Sequence, residues 1–264
     1  MKILFDTNLI TANRLRAFKK RSAYADFLLK IVASELGSRL TMINRNFNDA
    51  VELHGTTGVV SRACLATGKI LRMKRVETSQ EFSFADEEIV EAPLDELPLA
   101  PKSMDLILSP LNLHIINNVP KILVEIHRSL KPGGLFLAAI PGVGTLTELR
   151  QALLKAETEI NSGTSPRVIP FADVKSIGDL MQQAGFSMPV VDQEIYPVYY
   201  NSLFQLINDL RMMGMSNPLV ARSRKPVRKS FFLRAAELYE KQKINLDERI
   251  VATFSIIYAS GWSS

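Results

Sequence analysis

The 264-residue chain has a single cysteine, Cys64, so it can form no intramolecular disulfide and no cysteine-based zinc site. A lone cysteine within an apolar helical pattern reads as a small buried residue. Histidine is almost as scarce. His54, His114 and His127 are not paired with carboxylates at ligand spacing, and no metal site is expected. The apolar runs stay well short of the roughly 18 residues that would suggest a membrane span. The N-terminus meets Asp6 too early for the apolar core of a signal peptide. Together these absences predict a reducing, cytoplasmic setting. Aromatic residues make up 8% of the chain and do not alternate with basic ones, which argues against a stacking platform for single-stranded nucleic acid. Repeats and low-complexity segments are lacking as well.

What remains has the makings of a folded domain. A hydrophobic content of 47% beside 22% charged residues is that of a globular chain with a substantial core. The net charge of +5 allows an acidic partner without requiring one.

The most legible stretch runs from Leu97 to Pro141. Met104 to Ser109 is a short apolar run of the kind a strand shows when both its faces are buried. Asn118 can cap the helix that follows, with Pro120 in its first turn, where a missing N–H costs nothing. Ile122, Leu123, Ile126 and Leu130 share one helical stripe, Pro132 should end the helix, and Gly133-Gly134 should form the turn. Leu135 to Ile140 is a second apolar strand. Two such strands joined by a helix form a βαβ unit, which requires parallel pairing and an α/β fold.

Around this unit the pattern predicts a helix from Tyr24 to Leu40, a strand over Ala50–Leu53, a helix over Val59–Ala66 and a strand over Gly68–Val76. A short third strand is expected near Glu88–Val90. Helices are expected over Thr145–Ile160, Asp173–Ala184, Ser202–Met213 and Lys229–Lys243, with strands over Met188–Ile195 and Ile250–Tyr258. Arg14, Arg16, Lys19, Lys20 and Arg21 read either as a solvated helix face or as a lid over a substrate.

Leu97-Pro98-Leu99, Ser103-Met104-Asp105-Leu106, His114 and Leu130-Lys131-Pro132-Gly133-Gly134 match, in order and spacing, the middle of the class I S-adenosylmethionine (SAM)-dependent methyltransferases. The chain resembles that family, and within it the branch containing the malonyl-carrier-protein methyltransferase of biotin synthesis and a mitochondrial complex I assembly factor that hydroxylates arginine. Phe5-Asp6, Thr145 to Arg150, Ser165-Pro166-Arg167, Pro170-Phe171, Met213-Gly214, Asn217 and Gly261-Trp262 resemble the assembly-factor type. The resemblance implies a Rossmann-like, seven-stranded, mostly parallel sheet with helices on both faces. It also implies a division into a helical cap (1–45), a core (46–200), a two-helix insertion or lid (201–248) and a final core strand (249–264). The function implied is methyl transfer from SAM to a small acid, a carrier-bound acyl group or a protein. The alternative is a non-catalytic assembly factor that has lost SAM.

The cofactor positions implied by the resemblance are Glu52, His54, Gly55 and Gly58 in the first loop, Lys74 at the end of strand two, Leu94 and Asp95 after strand three, and Ser109 after strand four. Several depart from the family pattern. His54 and Thr56 stand where it has glycines, Lys74 where it has a carboxylate that accepts ribose hydroxyls (with Glu77 as the substitute if the turn is shifted), and Pro93 where it has an aspartate that reads adenine, with Asp95 two residues later able to reach in. Lys74 and Arg75 also admit an anionic ligand. His114 reads as a general base, as a group that orients a carboxylate substrate, or as a packed histidine of the cleft wall. Arg222, Arg224, Lys225, Arg228 and Lys229 read as a solvated loop or as a dock for an acidic partner such as an acyl carrier protein.

Overall fold

The computed structural model describes residues 3–20, 26–84, 87–160, 165–241 and 249–264. Seven strands form one sheet: β1 (Phe47–Leu53), β2 (Ile70–Glu77), β3 (Ile89–Glu91), β4 (Met104–Pro110), β5 (Leu130–Pro141), β6 (Ser187–Tyr200) and β7 (Ile250–Trp262). Their order is β3-β2-β1-β4-β5-β7-β6. The first five are parallel, and β7 runs antiparallel between β5 and β6.

The central strands are apolar on both sides because each face of the sheet is covered. Leu106, Leu108, Leu135 and Leu137 point into one core, beneath α2 (Phe27–Met42), α3 (Val59–Leu65), α5 (Thr147–Ile160), α7 (Leu203–Met212) and α8 (Lys229–Glu240). Their neighbours Ile107, Phe136 and Ala138 point into the other, beneath α4 (Val119–Ser129) and α6 (Val174–Gln183). α7 and α8 stand between β6 and β7 as expected, and both bury side chains, Leu206 and Phe231 among them, in the first core. α1 (Thr7–Lys20) is the first helix.

α4 begins as the sequence predicts, with the Asn118 side chain accepting from Lys121 N at 3.1 Å and Pro120 in the first turn. The turn expected at Gly133-Gly134 is instead a kink within β5. Pairing with β4 jumps from Met104–Leu130 to Leu106–Leu135. Gly133, at φ 72°, donates to Ser263 O, and Ser263 N donates to Gly134 O. The chain end thus holds the bulge, and the strand starts at Leu130. Arg21, the start of the helix expected at Tyr24, residues 162–164 of the loop after α5 and the end of the helix expected to reach Lys243 lie outside the described residues. Among the described residues no helix is long and apolar enough to cross a membrane.

Candidate functional site

The carboxyl ends of β1, β4 and β5 open into a cavity of about 470 Å³, which is walled by α1, the first turn of α5 and the segment 212–218. Ligands of open α/β sheets bind at this end.

The loop after β1 sets the cavity floor. His54, Thr56 and Gly58 all have left-handed backbone, with φ of 53°, 60° and 63°. The alternation expected of a glycine-rich loop is therefore kept, but two of its three left-handed positions carry side chains, at a cost of about 1–2 kcal/mol each. The surroundings hold them in place: His54 N donates to Val76 O at 2.7 Å, and Thr56 N to Glu77 Oε1 at 2.7 Å. Gly55, between them, has to be glycine for another reason. A Cβ there would lie 1.4 Å from Glu52 Oε1. Glu52 is wholly buried and accepts from both the amide and the hydroxyl of Ser61, while its Oε1 has no partner. Burial raises its pKa.

Lys74 is not the end of β2. The strand runs on to Glu77, and its register with β1 pairs Val51 with Lys74, Glu52 with Arg75 and Leu53 with Val76. The strand-end carboxylate is thus Glu77. Arg75 turns inward, only 1% exposed, and cannot meet a ligand in the cleft. Its guanidinium donates to Glu77 Oε1 at 2.6 Å, Glu87 Oε2 at 2.5 Å and Phe82 O at 3.2 Å. It lies 3.2 Å from where a Cβ of Gly58 would be. Burial pushes Glu77 up to about 7 against the pull of Arg75, and Oε2 of Glu77 has no partner.

The positions after β3 hold the N-terminal segment. Asp95 accepts from Asn117 N at 2.9 Å and from its side-chain amide at 3.3 Å. Asn117 Oδ1 in turn accepts from Leu4 N and Phe5 N, each at 2.9 Å. Leu94 is buried with Phe5, Ile10, Ile115 and Leu219, and Pro93 is exposed. Ser109 donates to Asn112 Oδ1, and Asn112 Nδ2 to Leu53 O at 3.1 Å, which ties the ends of β4 and β1 together.

Of the residues singled out from sequence, His54, Gly55, Thr56 and His114 line the cavity; Glu52, Gly58, Lys74, Leu94, Asp95 and Ser109 do not. His114 sits in a 3₁₀ turn at Leu113–Ile115. Burial, and secondly the charge of Arg14, lower the pKa of both His54 and His114 to about 3. Both rings are neutral at pH 7, and each Nδ1 lacks a partner. So low a basicity makes His114 a poor general base at neutral pH, where a matched pKa works best.

Arg14, one of the cations read from sequence as a solvated face or a lid, lines the cavity. Among the described residues of the basic run it alone does so, on the inward side marked by Ile10 and Ala17. It donates to His54 O at 3.2 Å and Leu111 O at 3.3 Å, bridging the ends of β1 and β4. Two other arginines of the wall are paired, Arg62 with Glu87 at 3.1 Å and Arg167 with Glu157 through two bonds of 2.5 and 3.0 Å. In the loop before α8, Arg222 is committed to Asp6 at 3.1 Å, whereas Arg224, Lys225, Arg228 and Lys229 are exposed. Among the described residues no group of three or more His, Cys, Asp and Glu side chains is arranged to hold a metal ion.

A methyltransferase-domain family model matches residues 55–138. The human mitochondrial arginine-hydroxylase NDUFAF5 is 35% identical over 250 residues, covering 90% of this chain and 70% of the relative. A malonyl-[acyl-carrier protein] O-methyltransferase of Gallionella capsiferriformans is 34% identical over 171 residues, covering 65% of this chain and 56% of that one. The solved structure of a SAM-dependent methyltransferase from Thermotoga maritima shares the fold, with a TM-score of 0.53 at 15% identity over 97% of this chain and 100% of the other. The chain is thus a member of the methyltransferase-domain family to which arginine-hydroxylase NDUFAF5 and the malonyl-[acyl-carrier protein] O-methyltransferases belong.

Proposed function

We propose that this chain is a SAM-independent member of its family, acting as an assembly or scaffolding factor on a protein partner. The observation that carries the reading is the buried Arg75–Glu77 pair. In this fold the carboxylate ending the second strand would accept ribose hydroxyls, and the glycine loop would admit the cofactor against its backbone. Here that carboxylate is bonded to Arg75 and to Thr56 N, and the guanidinium lies against Gly58. His54 and Thr56 add side chains to the loop, and Asp95 is bonded to Asn117. Arg62 and Arg167 are paired with Glu87 and Glu157, so among the described residues of the wall Arg14 stands against Asp26 alone and a sulfonium would meet no net negative charge. The residues present do not fit SAM.

One observation favours a second reading, a SAM-dependent methyltransferase. Glu77 Oε2 is buried without a partner and is an acceptor of the kind a ribose hydroxyl satisfies. Isothermal titration of the cofactor-free protein with SAM and with S-adenosylhomocysteine separates the two. We expect no saturable heat up to millimolar ligand, and a micromolar Kd would overturn the first reading.

For the partner, one relative is named for arginine and another for a malonyl group on acyl carrier protein. The exposed Arg224, Lys225, Arg228 and Lys229 suit an acidic protein surface. Changing Arg224, Lys225 and Arg228 together to Gln should weaken binding to acyl carrier protein and flatten its salt dependence. Unchanged binding would remove the dock. A reducing, cytoplasmic setting suits Cys64, which is buried and whose thiol is pushed up to about 12, first by burial and then by Glu52.

A further inference from the structure

The cavity is apolar over most of its wall, with Phe18, Leu28, Leu149, Met213 and Phe254 among its lining, and the unpartnered Nδ1 atoms of His54 and His114 belong to rings that both feel the charge of Arg14. We propose that it binds an apolar monocarboxylate, with the carboxylate against Arg14, His54 and His114 and the tail along the apolar wall.

Charge balance is the first argument. Among the described residues no carboxylate lies within ion-pair distance of Arg14. Its two hydrogen bonds are long and go to neutral carbonyls, leaving most of its five donors free. Burial disfavours its charged form, with only the field of Glu77 opposing. Arg14 is partly withdrawn from water, which is costly for a guanidinium without a counter-ion, and a carboxylate meets its planar fork with two charge-assisted bonds. The other two arginines of the wall already have such partners in Glu87 and Glu157.

The histidines are the second argument. His54 is 3% exposed, and both imidazoles are neutral at pH 7 with Nδ1 unbonded. A neutral imidazole donates from one ring nitrogen and accepts at the other, so either ring can bond a carboxylate without first gaining a proton. Among the described residues of the wall a cationic ligand would find only the carboxylate of Asp26, and a neutral one would leave Arg14 as it is. The volume of about 470 Å³ is that of a small-molecule site.

This inference goes beyond the loss of SAM, and the two can fail separately. The test is calorimetric titration of the full chain with decanoate, decanol and decylamine. Decanoate should bind about ten-fold or more tighter than either of the others, as expected for hydrogen bonds to a charged group. Arg14→Gln should abolish that preference while leaving decanol affinity unchanged, and Arg14→Lys should keep part of it, with a circular dichroism melt to confirm folding. If Arg14→Gln does not fold, the wild-type ligand series and Arg14→Lys still decide. Equal affinity for acid and alcohol, tighter binding of the amine, or no binding of decanoate would each overturn the proposal.

Discussion

Arg75→Ala should destabilise the protein by about 3–5 kcal/mol, read from urea unfolding at neutral pH. Removing this guanidinium leaves Glu77, 1% exposed, with only the Thr56 amide, and leaves Glu87 with Arg62 alone. Glu52 also loses the nearest positive charge that opposes its burial. Three carboxylates therefore depend on one side chain that water does not reach. The cost is that of uncompensated charge, not of a lost attraction, and the two can be told apart. Combining Arg75→Met with Glu77→Gln removes both charges, while the amide oxygen introduced at position 77 can still accept from Thr56 N. Replacing a buried pair by neutral groups of similar volume is close to neutral. The double variant should thus recover most of the loss, to within about 1–2 kcal/mol of the wild type. A single Arg75→Ala cost below about 1 kcal/mol would mean that the pair is solvated and that the strand-two end is open.

The same network explains why the fold was easier to read from sequence than the site. Buried parallel strands leave an unmistakable trace, as in Met104 to Ser109 and Leu135 to Ile140, because both faces need apolar residues. A strand's end leaves none. Arg75 falls near the end of the expected strand and Glu77 just past it, yet both are buried, and their charges neutralise each other only once the chain is folded. That set Lys74 at the strand end in the sequence and left Glu77, the carboxylate that ends the strand, as the alternative. Gly133-Gly134 was ambiguous for a related reason: a left-handed glycine serves a turn or a strand bulge equally, and the choice falls to Ser263, far off in sequence. Arg14 could not be told apart from its basic neighbours, since direction on a helix shows only when the stripe of Ile10 and Ala17 is known to face inward. His54 and Thr56 were legible as departures from glycine, but sequence could not reveal that the loop keeps its left-handed backbone despite them.

That buried imidazole at His54 should make the protein acid-sensitive in a way one substitution isolates. His54 has its pKa lowered to about 3, first by burial and then by the positive charge of Arg14. In the unfolded chain it titrates near the ordinary histidine value of about 6.5. Above that value neither state is protonated, and the ring has no pH-dependent effect. As the pH falls below it, the unfolded chain takes up a proton that the folded ring refuses, so stability is lost progressively until the folded pKa is reached. At pH 5 the loss is about 2 kcal/mol, from about 1.4 kcal/mol per pH unit. His114 acts in the same sense, but it is half-buried and contributes less. Glu77, pushed up to about 7, acts in the opposite sense: its contribution is present at low pH and lost as the pH rises towards 7. The full stability profile is therefore flatter than any one group would make it, and the informative quantity is a difference. Asparagine tolerates the left-handed backbone at position 54 and does not titrate. Between pH 7.5 and 5.0 the stability of His54→Asn relative to wild type should shift by about 2 kcal/mol in the variant's favour. A constant difference across that range would mean that the ring is solvated or carries a proton in the folded protein, and that the floor of the cavity is not the neutral surface on which Arg14 stands without a counter-ion among the described residues.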